Sequence, residues 1–105
     1  MDYVAALFVG AFLCNALPHL AAGLMGHGFP TPFAKPHGVG FSSPAVNFVW
    51  GWANAVAGLL LIERGHIVIG LNAHFAAALL GALLLGTPMA IHFGKVQAKR
   101  SAVSA

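Results

Sequence analysis

The chain has 105 residues, of which 59% are hydrophobic and only 7% charged, and its formal net charge is +3. A soluble domain of this size has about a quarter charged residues, because a small globule has a large surface to hydrate. The composition therefore excludes an ordinary soluble protein and predicts that most of the surface contacts the lipid bilayer. It also argues against a nucleic-acid partner, because five lysine and arginine side chains are too few for a phosphate-binding surface.

The first apolar run covers residues 3–24 and is long enough to cross a bilayer as one helix at ~1.5 Å per residue. Pro18 is expected to kink the last turns of this helix, since neighbouring helices can satisfy the carbonyl that a proline leaves free. Cys14 is the single cysteine of the chain, so no intrachain disulfide can form. Its apolar surroundings predict an inert, small hydrophobic side chain.

Residues 26–44, GHGFPTPFAKPHGVGFSSP, interrupt the apolar pattern. Their repeated prolines and glycines exclude a long helix. Phe29, Phe33 and Phe41 make the segment too apolar for a flexible linker. The sequence therefore predicts an ordered Pro/Gly-rich loop at the headgroup region of the membrane, with its aromatic rings in the interface.

Two further apolar runs predict two more helices. The second helix is expected over residues 45–62, with a serine cap and Pro44 in its first turn. The third is expected over residues 66–93, followed by a short frayed basic tail over residues 95–105. The predicted fold is thus all-α, a polytopic membrane protein that forms one domain over residues 1–105 with three transmembrane helices.

The cationic side chains are unevenly divided between the two sides of such a membrane protein. With three crossings, the loop and the C-terminus share one side, and the N-terminus and the turn after the second helix share the other. The second side carries only Arg64. The first side carries Lys35, Lys95, Lys99 and Arg100. The positive-inside rule therefore predicts the N-terminus outside and the C-terminus in the cytoplasm.

One face of the second helix and one face of the third carry small and amide residues at helical spacing. Glycines at these positions let helix backbones approach closely in a membrane, and amides bond between helices. The residues predicted to pack helices together are Asn47, Gly51, Gly58, Gly70 and Gly81.

Three polar side chains fall near the bilayer midplane when each predicted helix is centred in the membrane, namely Asn15, Asn54 and His74. Polar groups at that depth are costly unless they face one another, so we expect them to cluster. Two interpretations are open: hydrogen bonds that only hold helices together, or a buried site for a ligand or a proton. Gly70 lies one turn before His74 and leaves room for a flat macrocycle, so haem or chlorophyll is a candidate cofactor, with quinone or another lipid as alternatives.

Four histidines are expected near the inner membrane surface, namely His19, His92, His27 and His37. Imidazole binds zinc, copper and haem iron, so these four are candidate metal ligands. The alternative is that they bond interfacial water or lipid, since no carboxylate and no HxxH or HxxxH spacing accompanies them.

The sequence gives little support to catalysis. It has no Gly-rich phosphate loop and no cysteine pair, and its only acids are Asp2 and Glu63. Hydrolysis would depend on histidine alone, and a cation-coupled exporter would lack its intramembrane carboxylate. We therefore expect a non-catalytic accessory or structural subunit of a membrane complex, or a homo-oligomer. A binder of a lipid-soluble ligand is the alternative, and a small enzyme or transporter is a further one.

The predicted orientation can be tested with single cysteines and a membrane-impermeant thiol reagent in intact cells. Ser104→Cys should be protected, because the C-terminus is expected in the cytoplasm, and Arg64→Cys should be labelled. The unaltered chain, with Cys14 in its apolar run, gives the background. Labelling of the Ser104 variant with protection of the Arg64 variant would reverse the assigned orientation.

Overall fold

The computed structural model describes residues 3–104 and shows an all-α membrane fold, as predicted. The elements are α1 (Tyr3–Leu24), β1 (Phe29–Pro30), β2 (Phe41–Ser42), α2 (Pro44–Gly65) and α3 (Ala73–Ser104). All three helices are long and apolar enough to cross a membrane. The Pro/Gly-rich loop between α1 and α2 is ordered, and its two short strands pair as an antiparallel hairpin.

The first helix lies at the centre of the fold. It packs against both α2 and α3, whereas α2 and α3 share no extensive contact in the described part of the chain. A groove therefore runs along each side of α1. We call the groove lined by Phe8, Phe12, Asn15, Asn54 and Leu85 the front groove. The opposite one is the back groove, which is apolar and includes Leu13, Leu17, Ala55, Ala78 and Ala82.

Glycines allow the close approach of α1 to its two neighbours. A Cβ atom on Gly51 would lie 2.7 Å from the backbone nitrogen of Leu20, and one on Gly58 would lie 2.7 Å from the Leu13 side chain. A Cβ atom on Gly81 would overlap the backbone of Leu7. Both helix pairs therefore approach at distances that only glycine allows at these positions.

The start of α2 agrees with the predicted cap. The Ser43 hydroxyl accepts a hydrogen bond from the backbone N–H of Val46 at 3.2 Å, and Pro44 occupies the first turn. These two residues mark the boundary between the loop and the helix. A proline is tolerated in the first turn, because a backbone N–H at this position would have no partner within the helix.

The third helix begins and ends later than predicted. His66 adopts a left-handed backbone conformation that ends α2, and the Asn72 side chain starts α3 by accepting from the N–H of Phe75 at 2.8 Å. The segment between them is apolar without being helical, and its Ile67 is buried against α1 and α3. Gly70 lies in this segment with open space around its Cα, so its predicted role in helix packing is wrong. Apolarity alone does not distinguish such a segment from a helical turn.

The basic tail is also helical rather than frayed, because α3 continues to Ser104. The contacts of the loop with the C-terminal half of α3 include a hydrogen bond and a cation–π contact. The His92 ring donates from Nε2 to the carbonyl of Gly38 at 2.7 Å. The guanidinium of Arg100 lies 3.7 Å from the centre of the Phe41 ring, a cation–π distance. The loop is therefore attached to α3 as well as to α2.

Replacement of Gly81 by alanine tests the contact between α1 and α3. We expect Gly81→Ala to lower the free energy of unfolding by about 1–3 kcal/mol, because the new methyl group would force the two backbones apart. Gly94→Ala is the matched control: it lies on the same helix with open space around it and should gain up to about 1 kcal/mol of helix propensity. Unfolding titrations in mixed micelles measure both, and equal stability of the two variants would contradict the contact.

Candidate functional site

Two asparagines join α1 and α2 within the candidate membrane spans. Asn54 donates from Nδ2 to the carbonyl of Trp50 at 2.9 Å, so its Oδ1 is free to accept from Asn15 Nδ2 at 3.0 Å. Asn54 is buried, whereas Asn15 is only partly buried. The second N–H and the carbonyl oxygen of Asn15 have no partner within residues 3–104. Asn15 lines the front groove, so these groups are accessible to a molecule in it.

A second polar contact lies one helical turn closer to the loop, between His19 of α1 and Asn47 of α2. Asn47 is fully buried, and its Nδ2 lies 3.0–3.1 Å from three carbonyl oxygens. Those carbonyls belong to Phe29, Ser42 and Ser43. Only an N–H group can face carbonyl oxygens, so the orientation of the Asn47 amide is determined and its Oδ1 faces His19.

The orientation of Asn47 assigns the tautomer of His19. The Asn47 Oδ1 atom can only accept, so His19 Nδ1, 2.7 Å away, must donate. Glu63, the one acid within residues 3–104, lies at the far end of α2, so no carboxylate in this part of the chain favours a second proton on the ring. In the neutral ring, Nε2 then carries a lone pair and no proton. It is a hydrogen-bond acceptor.

The His19 ring lines a cavity of about 360 Å³ under the loop. The helices contribute Asn15, His19, Trp50, Met89 and Phe93 to its wall, and the rest comes from residues 30–38. The side chain of His19 is only 2% exposed, and no residue that the structure describes donates to its Nε2. No buried side-chain nitrogen or oxygen lacks a partner in the described chain. The Nε2 atom must therefore be reached from this cavity.

The cavity under the loop and the front groove are neighbours, because Asn15 lines both. The part within the groove has a volume of about 310 Å³. Along α1 the distance from His19 to Phe8 is roughly 16 Å at ~1.5 Å per residue. The combined space is polar at its loop end and mostly apolar at its other end.

The predicted midplane cluster forms only in part. The structure brings Asn15 and Asn54 together, but His74 lies in the first turn of α3, where its ring stacks on Tyr3 with 4.6 Å between the ring centres. The late start of α3 places His74 at the beginning of the third candidate span and not near its centre. Tyr3 also covers one face of the imidazole, and Gly70 lies outside the helix. The residues around His74 therefore do not fit a haem or chlorophyll.

The four histidines predicted as metal ligands are separated into different roles. His19 and His37 line the cavity, and His37 donates from Nδ1 to the carbonyl of Pro32 at 2.6 Å. His92 is bonded to the loop, and His27 is exposed. Among the described residues, no group of three or more His, Cys, Asp or Glu side chains can hold a metal ion. The predicted four-histidine metal site is therefore wrong.

Several residues of the cavity were not identified from the sequence. Met89 and Phe93 lie one and two helical turns after Leu85 on the same face of α3. This spacing is present in the sequence, but the neighbouring residues are equally apolar, so it does not identify a cavity wall. The contribution of Thr31 and its neighbours depends on how the loop folds back over α1, which no local pattern encodes.

The assigned tautomer can be tested by ¹⁵N NMR of the protein labelled at histidine. We expect a protonated Nδ1 and an unprotonated Nε2 for His19, because Asn47 can only accept from the ring. Asn47→Leu should remove this preference. A His19 signal with its proton on Nε2 in the unaltered protein would contradict the network. His66, which is exposed at the end of α2, serves as the reference for an unconstrained ring.

The comparisons with known proteins leave this geometry as the basis for a function. No family model, curated protein or solved structure matches the chain.

Proposed function

We propose that this protein binds a lipid-soluble molecule in the space formed by the front groove and the cavity under the loop. The observation that carries the proposal is the Nε2 atom of His19. His19 is only 2% exposed, and its Nε2 atom, which is reached from the cavity, has no partner from the described chain. Polar groups in such enclosed sites are nearly always hydrogen-bonded. A molecule in the cavity would complete its hydrogen bonding.

The size and the lining of the space support a small organic ligand. Pockets for such ligands have volumes of about 300–1,000 Å³ and combine apolar walls with a few polar groups. The cavity under the loop, at about 360 Å³, lies within this range by itself. Its polar groups come from His19, Asn15 and the loop, and its apolar wall includes Trp50 and Phe93.

The position of the opening supports entry from the bilayer. Phe8, Phe12 and Leu85 line the part of the front groove that lies between the membrane-crossing helices, where the surrounding solvent is lipid. A hydrophobic molecule in the bilayer can therefore enter sideways, with its polar end toward the loop. No acidic side chain lines the groove in the described part of the chain, so binding is better supported than proton-transfer catalysis.

Ligand binding is compatible with the predicted role as an accessory subunit or a homo-oligomer. The back groove is separate from this space and has a volume of about 410 Å³. Its lining includes small side chains such as Ala78 and Ala82, against which another helix could pack. The predicted orientation would place the ligand's polar end in the cytoplasmic leaflet.

Tryptophan fluorescence tests the proposal directly. The probe is a long-chain alcohol with two bromine atoms near its hydroxyl end, since bromine quenches tryptophan on contact. In nanodiscs, a Trp52→Phe protein reports on Trp50 in the cavity, and a Trp50→Phe protein reports on Trp52, which is 57% exposed at the helix surface. We expect saturable quenching of Trp50, and only proportional quenching of Trp52 by probe dissolved in the lipid.

A pair of groove variants controls for indirect effects. Ala11→Phe fills the front groove and should weaken the saturable quenching at least about 10-fold, whereas Ala21→Phe, exposed on the same helix, should leave it unchanged. Proportional quenching of both tryptophans, with no saturation in any protein, would contradict the proposed function.

A further inference from the structure

We infer that the ligand carries an uncharged hydroxyl group that donates a hydrogen bond to Nε2 of His19. This inference rests on the proposed function and names the chemical class of the ligand: a hydroxylated lipid, such as a long-chain alcohol or an alkyl phenol. It follows from the direction of each hydrogen bond around the cavity.

His19 can only accept a hydrogen bond from the ligand. Three carbonyl oxygens determine the orientation of the Asn47 amide, Asn47 determines that Nδ1 of His19 donates, and the neutral ring then has only a lone pair on Nε2. A ligand whose polar group is a ketone, an ether or an ester has no proton to donate to this atom. Such a ligand would displace water and leave a buried acceptor without a partner.

The cavity also offers a hydrogen-bond donor, from Asn15, close to the Nε2 acceptor of His19. Asn15 precedes His19 by four residues on α1, so the two side chains are neighbours on one helix face, and both line the cavity. One N–H of Asn15 is used by Asn54, and the other has no partner in the described structure. A hydroxyl group both donates and accepts, so a single hydroxyl can bond His19 and Asn15 together.

Charged head groups do not match the lining of the cavity. A carboxylate or phosphate would face the lone pair of His19 Nε2 unless the ring took up a second proton, which would place an ion pair in an enclosed site. An ammonium group would find no carboxylate in the described lining. Either ion would also lose its hydration at a site enclosed by helices and loop. The cationic side chains of Lys35, Lys95 and Lys99 are all exposed and are not part of the cavity wall. An uncharged hydroxyl is the head group that matches the polar atoms present.

The test compares the brominated alcohol with its methyl ether, which has the same chain and bromine atoms but no proton to donate. Quenching of Trp50 by the alcohol should saturate at a concentration about 10-fold to 100-fold lower than quenching by the ether, the ratio expected for leaving one buried acceptor unpaired. Equal saturation by both probes would overturn the inference while leaving the proposed function intact. The absence of saturation with either probe would overturn both.

A histidine variant connects the preference to His19. In His19→Asn, the new amide nitrogen is two bonds from Cβ, as Nδ1 is in histidine. The variant therefore keeps a donor to Asn47 and loses the acceptor at the position of Nε2. The preference for the alcohol over the ether should disappear in this variant and persist in His66→Asn, which lies at the other end of α2 in a left-handed conformation that asparagine tolerates. Persistence of the preference in His19→Asn would contradict the inference.

A measurement on the unaltered protein covers the case in which His19→Asn does not fold. The ¹⁵N signal of His19 Nε2 should shift in the direction of stronger hydrogen bonding when the alcohol is added, because the lone pair accepts a hydrogen bond from the hydroxyl, and should not shift in that direction when the ether is added. A shift of the same size and direction with both probes would show that the hydroxyl does not contact this atom.

Discussion

The amide of Asn47 is the interaction on which the rest of the structure depends. Its nitrogen bonds carbonyls of β1, β2 and the cap of α2, while its oxygen accepts from His19 of α1. One buried side chain therefore connects two membrane helices and both strands of the loop. Because a buried amide without its partners is costly, the loop and the α1–α2 pair stabilise each other. The same bonds determine which nitrogen of His19 carries the proton.

The two helix pairs are held by different kinds of interaction. The contact of α1 with α2 combines close glycine packing with amide and imidazole hydrogen bonds, which provide orientation as well as attraction. The contact of α1 with α3 is made by glycines and by small and aromatic side chains, such as Gly81 against Leu7 and Tyr3 against His74. Polar contacts of α3 with the rest of the fold include the bond of His92 to the loop at Gly38. The cavity lies where these two kinds of packing meet.

Much of the fold follows from sequence, and the candidate site follows only in part. Three apolar runs, the serine cap and the Pro/Gly-rich loop predicted the order of the elements, because hydropathy and turn chemistry act locally. The pairing of Asn15 with Asn54 followed from depth, since the first helix was predicted with its observed bounds and the second ends only three residues later than predicted. The same estimate of depth was wrong for His74. Residues 66–72 are apolar enough to be predicted as helix, but α2 ends at His66 and α3 begins only at Ala73. The positions of His37 and Thr31 depend on the path of the loop over α1, which is a tertiary property.

The order of the chain has a consequence for biosynthesis. A ribosome delivers α1, the loop and α2 to the membrane before α3. The bonds of Asn47 to His19 and to the hairpin lie entirely within this first part, so they can form while α3 is still being made. Met89 and Phe93, which form the remaining helical wall of the cavity, and His92, which attaches the loop, arrive last. The insertion of the final helix therefore completes the cavity around a polar group whose proton is already positioned.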